Sequence, residues 1–362
     1  MIKHHPVAIW TLNEKGLKTA LRLRGEPGIK NIFTTETLKQ SYENPRIRGY
    51  VKFGDSVRAN FHKYKGHVFI MATGIVIRTI ADLIRDKTTD PAVVVMDEMG
   101  KNVISLLSGH LGGANAITTH LASFLGGNPV ITTGTDVNNI TAVDTIAMEI
   151  EAEIENKEMI KAVSSTMLKN EPVALISDTA LFEKYYGKAD YKPDFFHHIV
   201  DVNPNDYKAL CIISEKQFHI PPDVLEKTLI IRPRNIVLGI GCNSSTEKDE
   251  IKAAVDRVLE QKAISPLSIA DVATIDKKKD EPGLLAYCES INCKLKYYCA
   301  EDLNSVRYKG MSPDSEPALK HVGAYGVAEP AALLCAGEGA ELIVKKIKSG
   351  NMTLAVARKK PV

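Results

Sequence analysis

The sequence lacks several features that would assign it to a common class of protein. Its 362 residues include six cysteines, but none form a CxxC pair and all lie in the second half of the chain. This spacing argues against a zinc knuckle and against a disulfide framework, and it predicts a protein of the reducing cytoplasm. The N-terminus has no signal-peptide pattern, and no apolar run reaches the ~18 to 20 residues that cross a bilayer. We therefore expect no membrane partner.

The sequence also has little net charge. Lys and Arg total 46 and Asp and Glu total 44, which gives a formal charge of +2. Such a balance provides no general attraction to nucleic acid, and we expect no nucleic-acid partner. An anionic ligand would have to be bound by a local cluster of residues.

Two nucleotide-binding signatures are absent. Neither GxGxxG nor GxxxxGK[ST] occurs, so a nucleotide site is the weakest of the functions considered. The histidine pairs His4-His5 and His197-His198 resemble metal ligands, but adjacent histidines point apart in a strand and no third ligand is near in sequence. We expect no metal site.

The pattern of apolar residues predicts an α/β protein with three blocks. Strand-like runs alternate with segments of helical period throughout the chain. We expect an N-terminal α/β domain at 1–140, a middle region at 141–233 and a separate C-terminal α/β domain at 234–362. The middle region is expected to begin with connector helices, because 142–170 reads as one acidic, nearly uninterrupted helix, and to continue as a small irregular module.

Three glycine-rich loops follow predicted strands and precede predicted helices, at 71–78, 107–115 and 239–246. Backbone amides and the positive end of a helix dipole favour an anionic or polar ligand at such a loop. The alternative is that the glycines only permit tight turns. That alternative is weaker for 107–115, where special residues are concentrated.

The second loop contains His110, two residues after Ser108. An imidazole in a glycine-rich turn can transfer protons near neutral pH, although a solitary histidine is more often structural, and both interpretations stay open. A nucleophilic Ser108–His110 pair is not favoured, because the sequence around Ser108 does not match the GxSxG motif of a nucleophile elbow. The turn in 95–101 is expected to close a hairpin onto the following strand.

Other polar residues are candidates for a site. The segment 131–144 ends a strand with threonines, asparagines and the acids Asp136 and Asp144, at a sheet edge where ligands bind in open α/β folds, although some should cap turns. Arg78 follows the first glycine turn and could meet an anion. Glu329 begins an apolar helix, where it is either a partner of the helix dipole or an acid with a raised pKa.

Several segments of the sequence resemble those of a known family. They are FIMATGIVIRTIADLIRDKTTDPAVVVMDEMGKNVISLLSGHLGGAN, PVITTGTDVN, AVDTIAMEIEAEIENKEMIKAV, VLGIGC, ATIDKKKDEPGLL, AEDL, GVAEPAALLCAG and LAVAR. In order and over nearly the whole chain, the sequence resembles the cobalt-precorrin-5A hydrolases of anaerobic cobalamin biosynthesis. The likeness is strongest in 67–144 and weakest in 178–228. The third glycine loop departs from the family, because it reads CNSST where the family has basic residues and a Gly-Thr.

The resemblance implies a reaction. The δ-lactone between the ring A acetate and the meso carbon C20 is hydrolysed, and C20 leaves with its methyl group as acetaldehyde, which gives cobalt-precorrin-5B. The partner would be this cobalt-corrinoid substrate, which carries the cobalt, so no resident cofactor is expected. A non-catalytic protein that binds or channels corrinoid intermediates is the alternative, and a homodimer is one possible assembly.

Opening a lactone requires a base for water, donors for the oxyanion and an acid for the leaving oxygen. We expect His110 to be the general base, with Asp136 or Glu329 as the second acid or base. The amides of Gly109, Gly112 and Gly113 would stabilise negative charge. The remaining residues expected to bind substrate are Gly74, Arg78, Ser108, Asn115, Thr133 and Thr135, with Arg78 on a peripheral carboxylate.

Overall fold

The computed structural model describes residues 6–86, 89–110, 112–177, 181–187, 189–306 and 310–360. The chain forms two compact units, Met1–Glu149 with Lys188–Tyr191, and Ile150–Gly187 with Lys192–Val362. Helices and three sheets alternate within them, which confirms the predicted α/β class. Each of the three predicted blocks contains one of the sheets.

The first unit is built on a seven-stranded sheet in the order β3-β2-β1-β4-β5-β6-β7. Its strands are Val7–Thr11 (β1), Ile29–Thr35 (β2), Ile47–Tyr50 (β3), Gly66–Ile70 (β4), Ala92–Met96 (β5), Asn102–Leu107 (β6) and Asn128–Val130 (β7). Its helices are Glu14–Arg22 (α1), Glu36–Lys39 (α2), Phe53–Asn60 (α3), Thr73–Ile80 (α4), Ala114–Leu125 (α5), Gly134–Val137 (α6) and Val143–Glu149 (α7). Strands β1, β4 and β5 are buried along their whole length, as expected of strands covered on both faces.

The chain reverses direction between β5 and β6. Strands β1 to β5 are parallel, but β6 is antiparallel to β5, and the predicted hairpin is confirmed. The Asp97 carboxylate stabilises the turn by accepting from the amides of Met99 at 2.9 Å and Asn102 at 2.6 Å. Since β7 is parallel to β6, the loops after β6 and β7 lie at the opposite edge of the sheet from the loop after β4.

An aromatic cluster on one face of this sheet contains a buried histidine. The Trp10 ring stacks on Phe33 with ring centroids 4.1 Å apart. Trp10 Nε1 donates to His67 Nδ1 at 3.0 Å, so the ring proton of His67 is on Nε2, which lies 2.9 Å from the carbonyl oxygen of Phe61. Burial lowers the pKa of His67 to about 4. The histidine is therefore a neutral core residue at physiological pH.

The middle block of the chain is more regular than expected, because it forms a five-stranded sheet in the order β10-β9-β11-β12-β8. Its strands are Glu153–Ile154 (β8), Val173–Ser177 (β9), Asp194–Phe196 (β10), Ala209–Ile213 (β11) and Thr228–Arg232 (β12). Its helices are Met159–Leu168 (α8), Leu181–Tyr186 (α9) and Pro222–Leu225 (α10).

The prediction of one long helix over 142–170 is wrong. Helix α7 ends at Glu149, and Glu151 adopts a left-handed backbone with φ of 52° before β8 pairs antiparallel with β12. The side chain of Asn156 then accepts from the amide of Ile230 and donates to the carbonyl of Thr228, at 2.9 and 2.7 Å. Pairing with a distant strand outweighs the helical preference of the acidic segment.

The C-terminal block forms another five-stranded sheet, in the order β15-β14-β13-β17-β16. Its strands are Ile236–Cys242 (β13), Ile269–Ile275 (β14), Leu295–Tyr298 (β15), Glu341–Ser349 (β16) and Met352–Arg358 (β17). Its helices are Lys248–Gln261 (α11), Pro282–Ser290 (α12), Ala300–Ser305 (α13), Glu316–Val322 (α14) and Ala328–Ala336 (α15). Helix α15 lies directly on β13 at Gly239, where a Cβ atom would be 1.8 Å from the carbonyl oxygen of Ala328.

The two sheets of the second unit are joined by a buried ion pair. Arg358 Nη2 at the end of β17 lies 2.7 Å from Glu215 Oε1, and only 2% of Glu215 is exposed. Next to this pair, the carbonyl of Glu215 accepts from the amide of Ser265 at 2.8 Å. A buried carboxylate without its cation would be costly, so the pair favours the contact between the two sheets.

Two further observations concern the whole of the described chain. All six cysteines are free thiols. Within the ranges given above, no helix has both the length and the apolarity needed to cross a membrane.

We expect acid to destabilise the first unit through His67. Between about pH 6.5 and 4 the unfolded state binds a proton that folded His67 does not, so stability falls as pH falls. The free energy of unfolding should drop by about 2 kcal/mol from this group between about pH 7.5 and pH 5. Urea unfolding followed by the fluorescence of Trp10, the single tryptophan, measures it.

The control for this titration is His67→Gln, which can keep both hydrogen bonds and cannot be protonated. Its free energy of unfolding should depend less on pH over this interval. An equal pH dependence in the two proteins would contradict the assignment.

Candidate functional site

His110 lies in the loop between β6 and α5, and this loop folds back onto the start of the helix. The carbonyls of Ser108 and Gly109 accept from the amides of Ala114 and Asn115, at 3.1 and 3.0 Å. Ser108 has a left-handed backbone with φ of 55°. The loop is thus held against the helix by the helix's own first amides.

The glycines of the loop have different functions. At Gly112 a Cβ atom would lie 2.4 Å from Ser108 Cβ, so the close approach requires glycine. The amide of Gly113 donates to the carbonyl of His110 at 2.8 Å. The proton of the Gly113 amide is thus engaged within the loop, and the expectation that this amide stabilises substrate charge stays a prediction. The amides of Gly109 and Gly112 have no hydrogen-bond partner among the described residues.

Both ring nitrogens of His110 face carboxylates. Nε2 lies 2.8 Å from Asp136 Oδ2, and Nδ1 lies 3.4 Å from Asp144 Oδ2. Burial alone would lower the pKa of His110, but the hydrogen bonds and charges of Asp136 and Asp144 outweigh burial and raise it to about 9. His110 is therefore an imidazolium at neutral pH, with a proton on each nitrogen.

Asn115, in the first turn of α5, orients the carboxylate of Asp136. Its Oδ1 accepts from Ser105 Oγ at 2.6 Å, which turns its Nδ2 toward the site. Nδ2 donates to Asp136 Oδ2 at 3.0 Å and to Thr133 Oγ1 at 3.2 Å. Thr135 Oγ1 lies 3.1 Å from His110 Nε2. The protonated imidazole and the amide thus meet on one oxygen of Asp136.

Most of the predicted site residues are brought together here. They are Ser108, Gly109, His110, Gly112, Gly113, Asn115, Thr133, Thr135 and Asp136. The Oγ atom of Ser108 is buried and has no hydrogen-bond partner within the described chain, so it forms no pair with His110.

Sequence reasoning missed Asp144 as a partner of His110. It noted Asp144 only as one of several polar residues in 131–144. Asp144 is 7% exposed and lies in α7 among the buried residues Val143, Ile146 and Ala147. An acid on the apolar face of a helix is costly to bury without a partner, and that signal could have identified it.

Two predicted residues lie elsewhere in the same unit. Gly74 and exposed Arg78 are on α4, which follows the end of β4 beside Met96. The His110 loop follows Leu107, which pairs with Val93 near the start of β5. The β5–β6 reversal puts the two loops at opposite sheet edges, so Gly74 and Arg78 do not lie beside His110 in this unit, and their binding of substrate stays a prediction.

Glu329 belongs to the second unit and has a structural environment there. Its carboxylate is 4% exposed and accepts from the amide and the hydroxyl of Ser312 and from the amide of Lys346, each at 2.9 Å. These bonds connect α15 to β16 and to the loop before α14. As a candidate for the second acid or base, Asp136 is favoured over Glu329.

The third glycine loop, after β13, is contacted by a carboxylate from the residue before α12. Glu281 accepts from the amide of Ser245 through Oε1, and its Oε2 lies 3.1 Å from Lys278 Nζ. Lys278 Nζ also donates to Ser244 Oγ at 3.0 Å. An intramolecular carboxylate thus binds an amide of a loop for which the sequence left open either an anionic or polar ligand or a purely structural turn.

No group of three potential metal ligands occurs in the part of the chain that the structure describes. His4 and His5 lie outside the described residues, so the expectation about them stays a prediction.

We expect the imidazole of His110 to stay protonated up to about pH 9, well above the ordinary value of 6.5. Nitrogen-15 NMR of the imidazole rings between about pH 6 and 10 measures this, with the His110 signals assigned by their loss in His110→Gln. A His110 signal that titrates near pH 6.5 would contradict the carboxylate pair.

Comparisons with known proteins find matches to three successive parts of the chain. A family described as "Cobalamin synthesis G N-terminal" matches residues 55–136, "Cobalamin biosynthesis central region" matches 141–233, and "Cobalamin synthesis G C-terminus" matches 236–357. All the residues around His110 except Asp144 fall in the first match, and Asp144 falls in the second.

Relatives of known name match most of the chain. The cobalt-precorrin-5A hydrolase of Priestia megaterium is 36% identical over an alignment of 321 residues that covers 84% of this chain and 82% of that protein. The enzyme of the same name from Salmonella typhimurium is 34% identical and covers 92% of both chains. A probable cobalt-precorrin-5A hydrolase of Methanocaldococcus jannaschii is 30% identical over 81% of this chain and 85% of that protein. The chain is thus a member of the cobalt-precorrin-5A hydrolase family.

Proposed function

We propose that this chain hydrolyses the δ-lactone of cobalt-precorrin-5A and releases C20 with its methyl group as acetaldehyde, which gives cobalt-precorrin-5B. The names of the relatives support the substrate and the reaction. The observation in the chain itself that supports catalysis is the ring of His110 held between the buried carboxylate of Asp144 and the exposed carboxylate of Asp136. A protein that only binds or channels the corrinoid is the alternative that the experiment below excludes or supports.

The first step opens the lactone. Asp136, whose side chain is 37% exposed, accepts a proton from water as the water oxygen bonds to the lactone carbonyl carbon. The bond between the carbonyl carbon and the ester oxygen carried by C20 then breaks, and the imidazolium of His110 gives its Nε2 proton to this leaving oxygen, which becomes the C20 hydroxyl. His110 is thus the acid of this step and not the base first expected, because its raised pKa means that it begins protonated.

The second step releases the aldehyde. Neutral His110 takes back the proton of the C20 hydroxyl, the bond between C20 and the ring breaks, and its electrons pass to the macrocycle. The ring carbon takes the proton held by Asp136. Both residues return to their starting charges, and the products are acetaldehyde and the ring with a free acetate.

Negative charge on the lactone oxygen requires donors during the first step. The amides of Gly109 and Gly112 are the donors of this loop that we assign to it. A preorganised donor of this kind contributes about 3 kcal/mol to the transition state where water is excluded.

Several expectations accompany this proposal. Cobalt enters as part of the substrate and the chain holds no resident cofactor. The reaction takes place in the cytoplasm, which agrees with six unpaired thiols, and involves no nucleic acid. A homodimer is an assembly that sedimentation velocity would test.

The test is anaerobic incubation with cobalt-precorrin-5A. We expect acetaldehyde, measured by NADH oxidation with alcohol dehydrogenase, and a product lighter by the two-carbon fragment after addition of water. His110→Gln removes the proton donor and should lower kcat about 10² to 10⁴-fold. In the wild type, kcat/KM should fall as the pH rises through about 9, because the imidazolium is lost.

The matched control is His120→Gln, on the exposed face of α5, where the ring pairs with Glu26. This variant should keep wild-type turnover. Unchanged turnover in His110→Gln would remove the catalytic assignment. Stoichiometric binding of the substrate with no acetaldehyde from the wild type would support the binding alternative.

A further inference from the structure

The two carboxylates beside His110 differ in their access to solvent. The side chain of Asp136 is 37% exposed, whereas that of Asp144 is 9% exposed. Asp136 is on the four-residue helix α6, and Asp144 is in the first turn of α7 among apolar residues. Only Asp136 is exposed enough to reach a substrate atom directly.

Asp144 is held in place on both sides. Its Oδ2 lies 3.4 Å from His110 Nδ1, and its Oδ1 accepts from the amide of Thr145 at 3.0 Å. The carboxylate is therefore aligned before a substrate arrives. With Nδ1 committed to Asp144, the other ring nitrogen of His110 points toward Asp136 and Thr135.

We infer that Asp144 is a positioning residue, which orients the ring of His110 and stabilises its protonated form while Asp136 exchanges protons with the substrate. The catalytic role of Asp144 rests on the proposed function. The contact between Asp144 and His110 is independent of it. The inference assigns separate tasks to the two acids, since Asp136 reacts and Asp144 acts through His110.

Charge balance during the reaction explains why a second carboxylate is needed. In the first proposed step Asp136 becomes neutral, so it no longer stabilises a positive charge on His110. His110 must nevertheless recover a proton in the second step. Asp144 is then the remaining negative charge in contact with the ring among the described residues, because the other group within hydrogen-bond distance of the ring, the hydroxyl of Thr135 on α6, is neutral.

The test is Asp144→Asn, which keeps the shape of the side chain and removes its charge. The pKa of His110, measured by imidazole nitrogen-15 NMR without substrate, should fall by at least about one unit. The basic limb of the kcat/KM profile should move to lower pH by the same amount. Turnover at about pH 8.5 should fall at least about threefold, the loss in protonated His110 that a one-unit shift from about 9 gives, and KM should change little, because Asp144 does not touch the substrate.

The control is Asp55→Asn, which removes an exposed carboxylate from the first turn of α3 in the same unit. It should change neither the pKa of His110 nor the pH profile. Asp144→Glu retains the carboxylate and should restore part of the shift that Asp144→Asn loses.

The wild-type enzyme provides a readout that does not depend on folding of a variant. At about pH 8 both ring nitrogens of His110 should carry protons, and the Nδ1 proton should exchange more slowly than the Nε2 proton because Asp144 is buried. A neutral ring, or equal exchange at the two nitrogens, would overturn the inference. The inference would also be overturned if a folded Asp144→Asn protein kept the His110 pKa of the wild type and an unchanged basic limb of the kcat/KM profile.

The two proposals fail in different ways. If the pKa shift occurs but the wild type releases no acetaldehyde, the positioning of His110 stands and the proposed reaction is wrong. If acetaldehyde is formed and Asp144→Asn behaves as the wild type, the reaction stands and the positioning is wrong.

Discussion

The reversal of the chain between β5 and β6 determines which residues of the first unit can meet. Five parallel strands end at one edge of the sheet, so loops from β1 to β5 would gather there by default. The hairpin stabilised by Asp97 sends β6 and β7 the other way, and the loops that follow them meet at the opposite edge. His110 comes from one of these loops and Asp136 from the other. The site therefore depends on a turn whose own residues take no part in it.

Charge compensation is the second constraint. A half-buried imidazolium would lose its proton through desolvation alone, and two buried or half-buried carboxylates would repel each other. Together the three groups leave one net negative charge, part of which is offset by the amide of Asn115 on Asp136. The same principle appears in the second unit, where Arg358 compensates Glu215 and Lys278 compensates Glu281. Each buried acid in these clusters lies within reach of a specific cation or amide.

Much of the fold could be predicted from local pattern, and the failures share a cause. The apolar strands, the left-handed Gly126 that ends α5 and the start of α12 at Pro282 follow from residues near in sequence. The break before β8 depends on pairing with the distant strand β12. In the site, His110 and Asp136 were found because each marks a polar turn after a strand. Asp144 was not assigned to His110, because a carboxylate within an apolar helix shows its partner only when the chain is folded.

The contact between Gly112 and Ser108 limits how the active loop could change in evolution or by design. Every side chain larger than hydrogen at position 112 would press on the carbonyl that holds the start of α5. New specificity toward other macrocycles would therefore have to come from neighbouring surfaces, because the bend at Gly112 must keep its shape to hold the imidazole of His110 in place.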